Sequence, residues 1–250
     1  MVHPRREART AVKRGLPRAA GALRLCRGVD ALRRLLDQRL VDAVVVDVKG
    51  AGAGVLELAA RFPGIPFHMF SAIRPEDAPL VARARAAGFR GVLLEGVDNA
   101  VAGEWIAART AQRVRRIALA DAPRLLRLTE KIQIDAWEEV LRRVALPMQT
   151  AQLAQALRVT REHLSRQFAA GGAPNLKRVI DLARLACAAD LLGNPGYTVG
   201  AVARILGYAS PSHLTGAARR VAGVGAQELR ALGPRGVLLR FLRGRTRSRP

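Results

Sequence analysis

Between Gly21 and about Ala120, short unbroken apolar runs alternate with stretches in which apolar residues recur every three or four positions. ALRLC (22–26), VDAVVVD (41–47), IPFHMF (65–70) and FRGVLL (89–94) have the length and continuity of strands buried on both faces. The segments between them, VDALRRLLDQR, GVLELAARF and PEDAPLVARARAAG, carry the one-sided spacing of amphipathic helices. This alternation predicts right-handed crossovers, and hence a parallel sheet with helices on both faces.

From Pro123 the strand signal ends, and helical segments punctuated by Pro and Gly run to about Gly233. Residues 109–131 read as a helical connection broken at Pro123. In DAWEEVLRRV, Trp137, Val140, Leu141 and Val144 form one face, while Glu138 and Glu139 precede Arg142 and Arg143 at ion-pair spacing. LAQALRVTREHLSRQF (153–168) then predicts two helices joined by a bend at Arg158-Val159-Thr160. Thr160 caps the second helix, and Leu157, Val159, Leu164 and Phe168 close an apolar wedge.

One such unit fits any helical hairpin, but this one recurs in VARILGYASPSHLTGAARR. Ala154 and Leu157 match Ala203 and Leu206, 49 positions on, and Leu164 matches Leu214, 50 positions on. The second turn has Gly207 after its helix and a Ser210-Pro211 cap. Between the copies, NLKRVIDLARLACAADLLGNPGYTV predicts one long helix ended at Asn194-Pro195-Gly196, with Cys187 in its core.

Charge narrows the partner. The formal net charge is +22, and all but four of the 42 basic side chains are arginine. Arginine's permanently charged fork suits phosphate and base edges, so a polyanion partner is expected. Cys26 and Cys187 are too few for a disulfide framework or thiolate zinc site, and His3, His68, His163 and His213 lack neighbours at metal-ligand spacing. No cofactor or metal is therefore expected. No apolar run approaches the roughly 18 residues of a membrane span, and the basic N-terminus lacks a signal peptide's apolar centre, so no membrane partner and a cytoplasmic location are expected.

The chain accordingly divides into five parts. A disordered basic tail (1–20) is expected first, its Arg content also fitting a transit peptide. An α/β domain (21–120), a helical linker (121–132), an all-α domain (133–233) and a basic tail (234–250) follow, with GVLLRFL in the last able to dock as a short helix.

LAQALRVTREHLSRQF, RLACAADLL, VARILGYASPSHL and RRVAGVGAQELR stand in the order and spacing of the AraC-type DNA-binding domain of bacterial transcription regulators, which residues 135–233 resemble. The resemblance implies two heads entering successive major-groove segments on one face of DNA. It places Glu162, Ser165 and Arg166 of the first head, and Ser212 and His213 of the second, at the bases. Arg166 is matched to guanine, whereas Glu162 either accepts from cytosine N4–H or solvates the helix start. His163, Tyr208, Leu214 and Phe168 are assigned to packing. Arg158, Arg161, Arg204, Arg219 and Arg220 are expected at phosphates. Arg158 replaces the usual turn glycine, Gly216 stands where a long polar residue is common, and Ala218 replaces a packing aromatic; the last two are expected to weaken the second head.

The front half resembles, in VDAVVVDV, IPFHMFSA and AGFRGVLLEG, the third to fifth strands of response-regulator receiver domains, implying a degenerate receiver-like, flavodoxin-like fold. Asp47 falls on the phosphoacceptor position and Ser71 on the hydroxyl position. However, the first strand's acidic pair is not recognisable, Glu95 replaces a lysine, and the segment after Asp47 is short. The span from Gly21 to Asp47 holds one strand and one helix where a receiver has two such pairs, leaving a sheet short of a unit or a start upstream of Met1.

The leading expectation is a sequence-specific transcription regulator, not an enzyme, whose front domain mediates dimerisation or protein contact. Duplex DNA, a second copy of the chain and RNA polymerase are the expected partners. A phosphorelay-controlled regulator using Asp47 is the alternative, and a DNA-linked enzyme using Cys26 a further one, although Cys26 lacks the surroundings of a reactive thiolate.

Overall fold

The computed structural model describes residues 1–146, 148–169 and 172–246. The chain forms two compact units, Met1–Val114 with Asn194–Gly196, and Arg115–Gly193 with Tyr197–Pro250.

The first unit contains α1 (Arg6–Gly15), α2 (Val29–Gln38), β1 (Val44–Val46), α3 (Val48–Ala51), α4 (Gly54–Arg61), β2 (Phe67–Ser71), α5 (Ala78–Ala86), β3 (Gly91–Leu94), α6 (Ala102–Ala107) and most of α7 (Ala111–Ala118). The sheet is parallel in the order β1-β2-β3, with Val45 opposite His68 and Met69 opposite Val92. Every residue of β1 and β2 is buried, as strands covered on both faces must be. On one face Val45, Phe70 and Leu93 pack with Ala8 and Val12 of α1 and with Ala102 and Ile106 of α6.

Two expectations fail here. ALRLC forms no strand, although the Cys26 amide donates to the Met1 carbonyl (2.9 Å) and the Met1 amine to the Arg24 carbonyl (2.7 Å). Leu23 packs half-buried against the core beside α1, whereas Leu25 is 57% exposed, so the run is covered only in part. Nor are residues 1–20 a disordered tail. Val2 bridges Val46 in parallel, its amide donating to the Val45 carbonyl and its carbonyl accepting from Asp47, both at 2.9 Å. Helix α1 turns Ala8 and Val12 inward at helical spacing while Arg6, Lys13 and Arg14 stay in solvent. It docks through two bare backbones, since a Cβ on Gly103 would overlap the backbone of Gly15.

The second unit holds the end of α7, then α8 (Ala122–Leu125), α9 (Lys131–Arg142), α10 (Thr150–Ala156), α11 (Arg161–Ala169), α12 (Leu176–Leu192), α13 (Val199–Ile205), α14 (Pro211–Ala222) and α15 (Ala226–Thr246). Helix α12 is its axis: Leu182, Ala183, Leu185, Ala186, Cys187 and Ala188 are all buried, so it is surrounded and not merely flanked. Helix α9 buries the expected Trp137, Val140 and Leu141, and Val144 is buried just beyond its end. Of its expected ion pairs Glu139–Arg143 forms, whereas Arg142 also turns to buried Glu139 and Glu138 pairs with Arg116.

The expected linker is part of this unit. Ala122, Leu126 and Leu128 are buried, Pro123 starts α8, and Arg115 reaches Asp190 at 2.9 Å. The expected C-terminal tail is also folded. Gly233 (φ 59°) kinks α15 before Pro234, yet the helix resumes and buries Val237, Leu238 and Phe241, with the Arg178 guanidinium 5.0 Å above the Phe241 ring. GVLLRFL thus docks as part of a longer helix, and residues 247–250 of that expected tail lie outside the described residues.

Candidate nucleic-acid interface

The two helical hairpins repeat hydrogen bond for hydrogen bond. At the end of α10 the Leu157 amide donates to the Leu153 carbonyl (3.1 Å), Arg158 to Gln155 (3.1 Å) and Val159 to Ala154 (3.0 Å). At the end of α13, Leu206 donates to Val202 (3.0 Å), Gly207 to Arg204 (3.1 Å) and Tyr208 to Ala203 (2.8 Å). Closure of this kind needs a left-handed residue after the helix. Gly207 supplies it at φ 67° and Arg158 at φ 57°, although a side chain is disfavoured there.

Beyond each turn a hydroxyl caps the next helix. Thr160 Oγ1 accepts from the His163 amide, and Ser210 Oγ from the His213 amide, both at 3.1 Å. Leu153, Leu164 and Phe168 are buried beneath the first hairpin, whereas Leu157 and Val159, expected in the same wedge, are half-buried. Ala203, Leu206, Leu214 and Ala218 are the buried counterparts in the second.

Glu162, Ser165 and Arg166 are exposed on one side of α11, and Ser212 and His213 on the outer side of α14. Arg158, Arg161, Arg204, Arg219 and Arg220 are exposed around the same two hairpins. Helix α14 runs through Gly216 to Ala222 and ends at left-handed Gly223 (φ 69°). Ala218 is fully buried, and α14 packs along α15.

The sequence reading overlooked Arg184. Its guanidinium lies 4.4 Å over the Tyr208 ring and donates to the Leu206 carbonyl (2.7 Å), fastening the second turn to α12. Tyr208 in turn meets the His213 ring edge-on at 6.0 Å. Burial raises the Tyr208 hydroxyl to about 12, against the opposing charges of Arg184 and Arg220, so it stays protonated as a hydrogen-bond donor. An arginine inside the apolar run of LARLACAAD was the available signal.

In the first unit, Asp47, Ser71 and Glu95 meet at the carboxyl ends of the strands. Ser71 Oγ donates to Asp47 Oδ1 at 2.6 Å, and Glu95 faces Arg5 (3.4 Å) and His3 Nε2 (3.7 Å). The Arg5 amide donates to His3 Nδ1 (3.2 Å), which places the ring proton on Nε2. Burial lowers the His3 pKa, so the ring is held neutral despite the nearby carboxylates. Among the described residues no group of three His, Cys, Asp or Glu side chains is placed to hold a metal ion. Cys26 is a half-buried thiol outside this cluster.

Residues 153–231 match a protein family described as a helix-turn-helix domain, which is of the AraC type and DNA-binding. No curated protein and no solved structure matches the chain. Among the described residues no helix is long and apolar enough to cross a membrane.

Proposed function

We propose that the chain is a sequence-specific transcription regulator whose two hairpins read successive major-groove segments of duplex DNA. The observation that carries this reading is the bond-for-bond repeat of the two hairpins within the matched residues, joined by one buried helix. Two helices held one DNA turn apart can reach base edges from one side of the duplex. Arg166 presents its fork to the O6 and N7 of guanine, Glu162 accepts from cytosine N4–H, and Ser165, Ser212 and His213 make further base contacts. Arg158, Arg161, Arg204 and Arg219 bind phosphates, supplying affinity without sequence preference.

The first unit serves as a receiver-like scaffold for contact with a second copy or with RNA polymerase. The placement of residues 1–3 beside β1, and of Asp47 and Ser71 at the strand ends, supports that likeness. Phosphoryl transfer to Asp47 is disfavoured by its surroundings. His3 and Pro4 follow the bridging Val2 where an acidic pair would hold a metal, and Glu95 stands where a cation would meet the phosphoryl oxygens.

Selection of bound sequences from random duplex DNA by the full chain, followed by salt titration of the winner, tests the reading. A two-part motif is expected, bound with affinity that falls steeply with salt at about 0.9 in log–log slope per phosphate contacted. Recovery of no motif would refute it.

A further inference from the structure

The two reading helices differ where they should be most alike. A shift of 50 residues carries Thr160 onto Ser210, Leu164 onto Leu214 and Arg166 onto Gly216, so α14 has bare backbone where α11 has its guanidinium. Gly216 has no positive φ to require glycine, and a Cβ there would meet only Arg220 Nη1, at 3.5 Å. The space over Gly216 is therefore bordered by a guanidinium, one belonging to the residue a turn further on.

That placement follows from helix geometry. Side chains lean toward a helix's N-terminus, so a residue covers the turn before its own Cα. Arg220 leans back over Gly216 toward Ser212 and His213, the end of α14 that faces base edges in the proposed function. A long side chain at 216 would compete for this space, and glycine leaves it open. Arg220 is exposed and has no ion-pair partner among the described residues, so its five N–H donors are available to a ligand. Arg219 projects from the neighbouring flank of the helix and does not border the gap.

We propose that Arg220, assigned to phosphate on sequence alone, is a base-reading residue: it reaches over Gly216 to the O6 and N7 acceptors of a guanine, as Arg166 does in the first head. This rests on the DNA-binding reading. It makes the second head sequence-selective through a residue one turn later than in the first, with Gly216 as the enabling gap.

The test uses the full chain and the duplex recovered by selection, with anisotropy measured on that site and on single-base-pair variants of it. Arg220→Ala should lose about 5- to 150-fold in affinity for the selected site and flatten the preference at one G·C pair only, the range a bidentate guanine contact commands. The salt slope should stay within a few tenths of wild type. Arg220→Lys should also flatten that pair, because an ammonium lacks the fork. Adding Gly216→Arg to Arg220→Ala should restore preference at the same pair. Equal losses on every duplex, with the slope reduced by about 0.9, would make Arg220 a phosphate contact and overturn the proposal while leaving the proposed function intact. Unchanged preference at all positions in Arg220→Ala would overturn it likewise. A wild-type chain that binds all duplexes alike would overturn both, and would show this before any substitution is made.

Discussion

Arg158 occupies a backbone conformation that its twin in the second hairpin fills with glycine, and the pair defines a quantitative experiment. Left-handed φ costs a residue with a Cβ about 1–2 kcal/mol. Replacing Arg158 by Gly relieves that cost but loosens the unfolded chain, which offsets about 0.4–1 kcal/mol. Arg158→Gly should therefore raise stability by roughly 0.5–1 kcal/mol, or about 1–4 °C in Tm for a chain of this size. If the arginine is retained for a phosphate, the same change should weaken binding to all duplexes alike and lower the salt slope by about 0.9. Arg158→Asn separates the two effects, because asparagine tolerates the conformation without the charge. Gly207→Ala is the converse change and should destabilise by about 1 kcal/mol or more. Differential scanning calorimetry and anisotropy titrations give both quantities. A variant that is more stable but binds DNA as before would show that Arg158 touches no phosphate. One that gains no stability would refute the account of the turn.

Gly91→Ala should cost about 1–3 kcal/mol in a urea melt, because its Cβ would overlap the half-buried Trp105 ring; an unchanged midpoint would contradict the packing described. Burial holds His3 and His68 below their ordinary 6.5, so just below that value the unfolded chain takes up protons that the folded one refuses. Their contribution to stability is complete above about pH 6.5 and is lost as pH falls through it, so melts at pH 7.5 and 5.5 should differ, and His3→Gln with His68→Gln should shrink the difference. Acetyl phosphate with Mg²⁺ should add no phosphoryl group to the chain by intact mass; an adduct absent from Asp47→Ala would make the first unit a phosphorylation switch.

What could be read from the sequence was what depends on neighbours in the chain. Thr160 and Ser210 reveal their helix starts because a cap acts within three residues, and the repeat around Leu164 and Leu214 exposes two copies of one hairpin. VVV and FHMF announce strands because both faces of the sheet are covered. What stayed hidden depends on distant partners. Residues 1–3 are too few to show any period, and become strand-like only against Val45 and Asp47. Helix α1 hides two inward residues among charges, and Gly15 reads as a stop although it is where α6 docks. Gly233-Pro234 reads as an ending, yet α15 resumes because Val237 and Phe241 find a core to enter. Conversely, ALRLC looks like a strand, yet it pairs with no strand and packs Leu23 against the core while Leu25 stays exposed.

The buried helix α12 has a consequence for how binding sites for such a regulator can change. A solvent-exposed tether would let the two heads adjust to binding sites of varied spacing, but α12 buries twelve of its 17 residues and cannot stretch or untwist without opening the unit's core. One inserted base pair turns the far half of a duplex by roughly 35° and moves it about 3.4 Å, which carries the base edges out of register with the second head. On the proposed reading the protein therefore measures as well as reads. Across a genome, letters within such sites would then drift and grade the response, while a single insertion between the halves would weaken a site sharply.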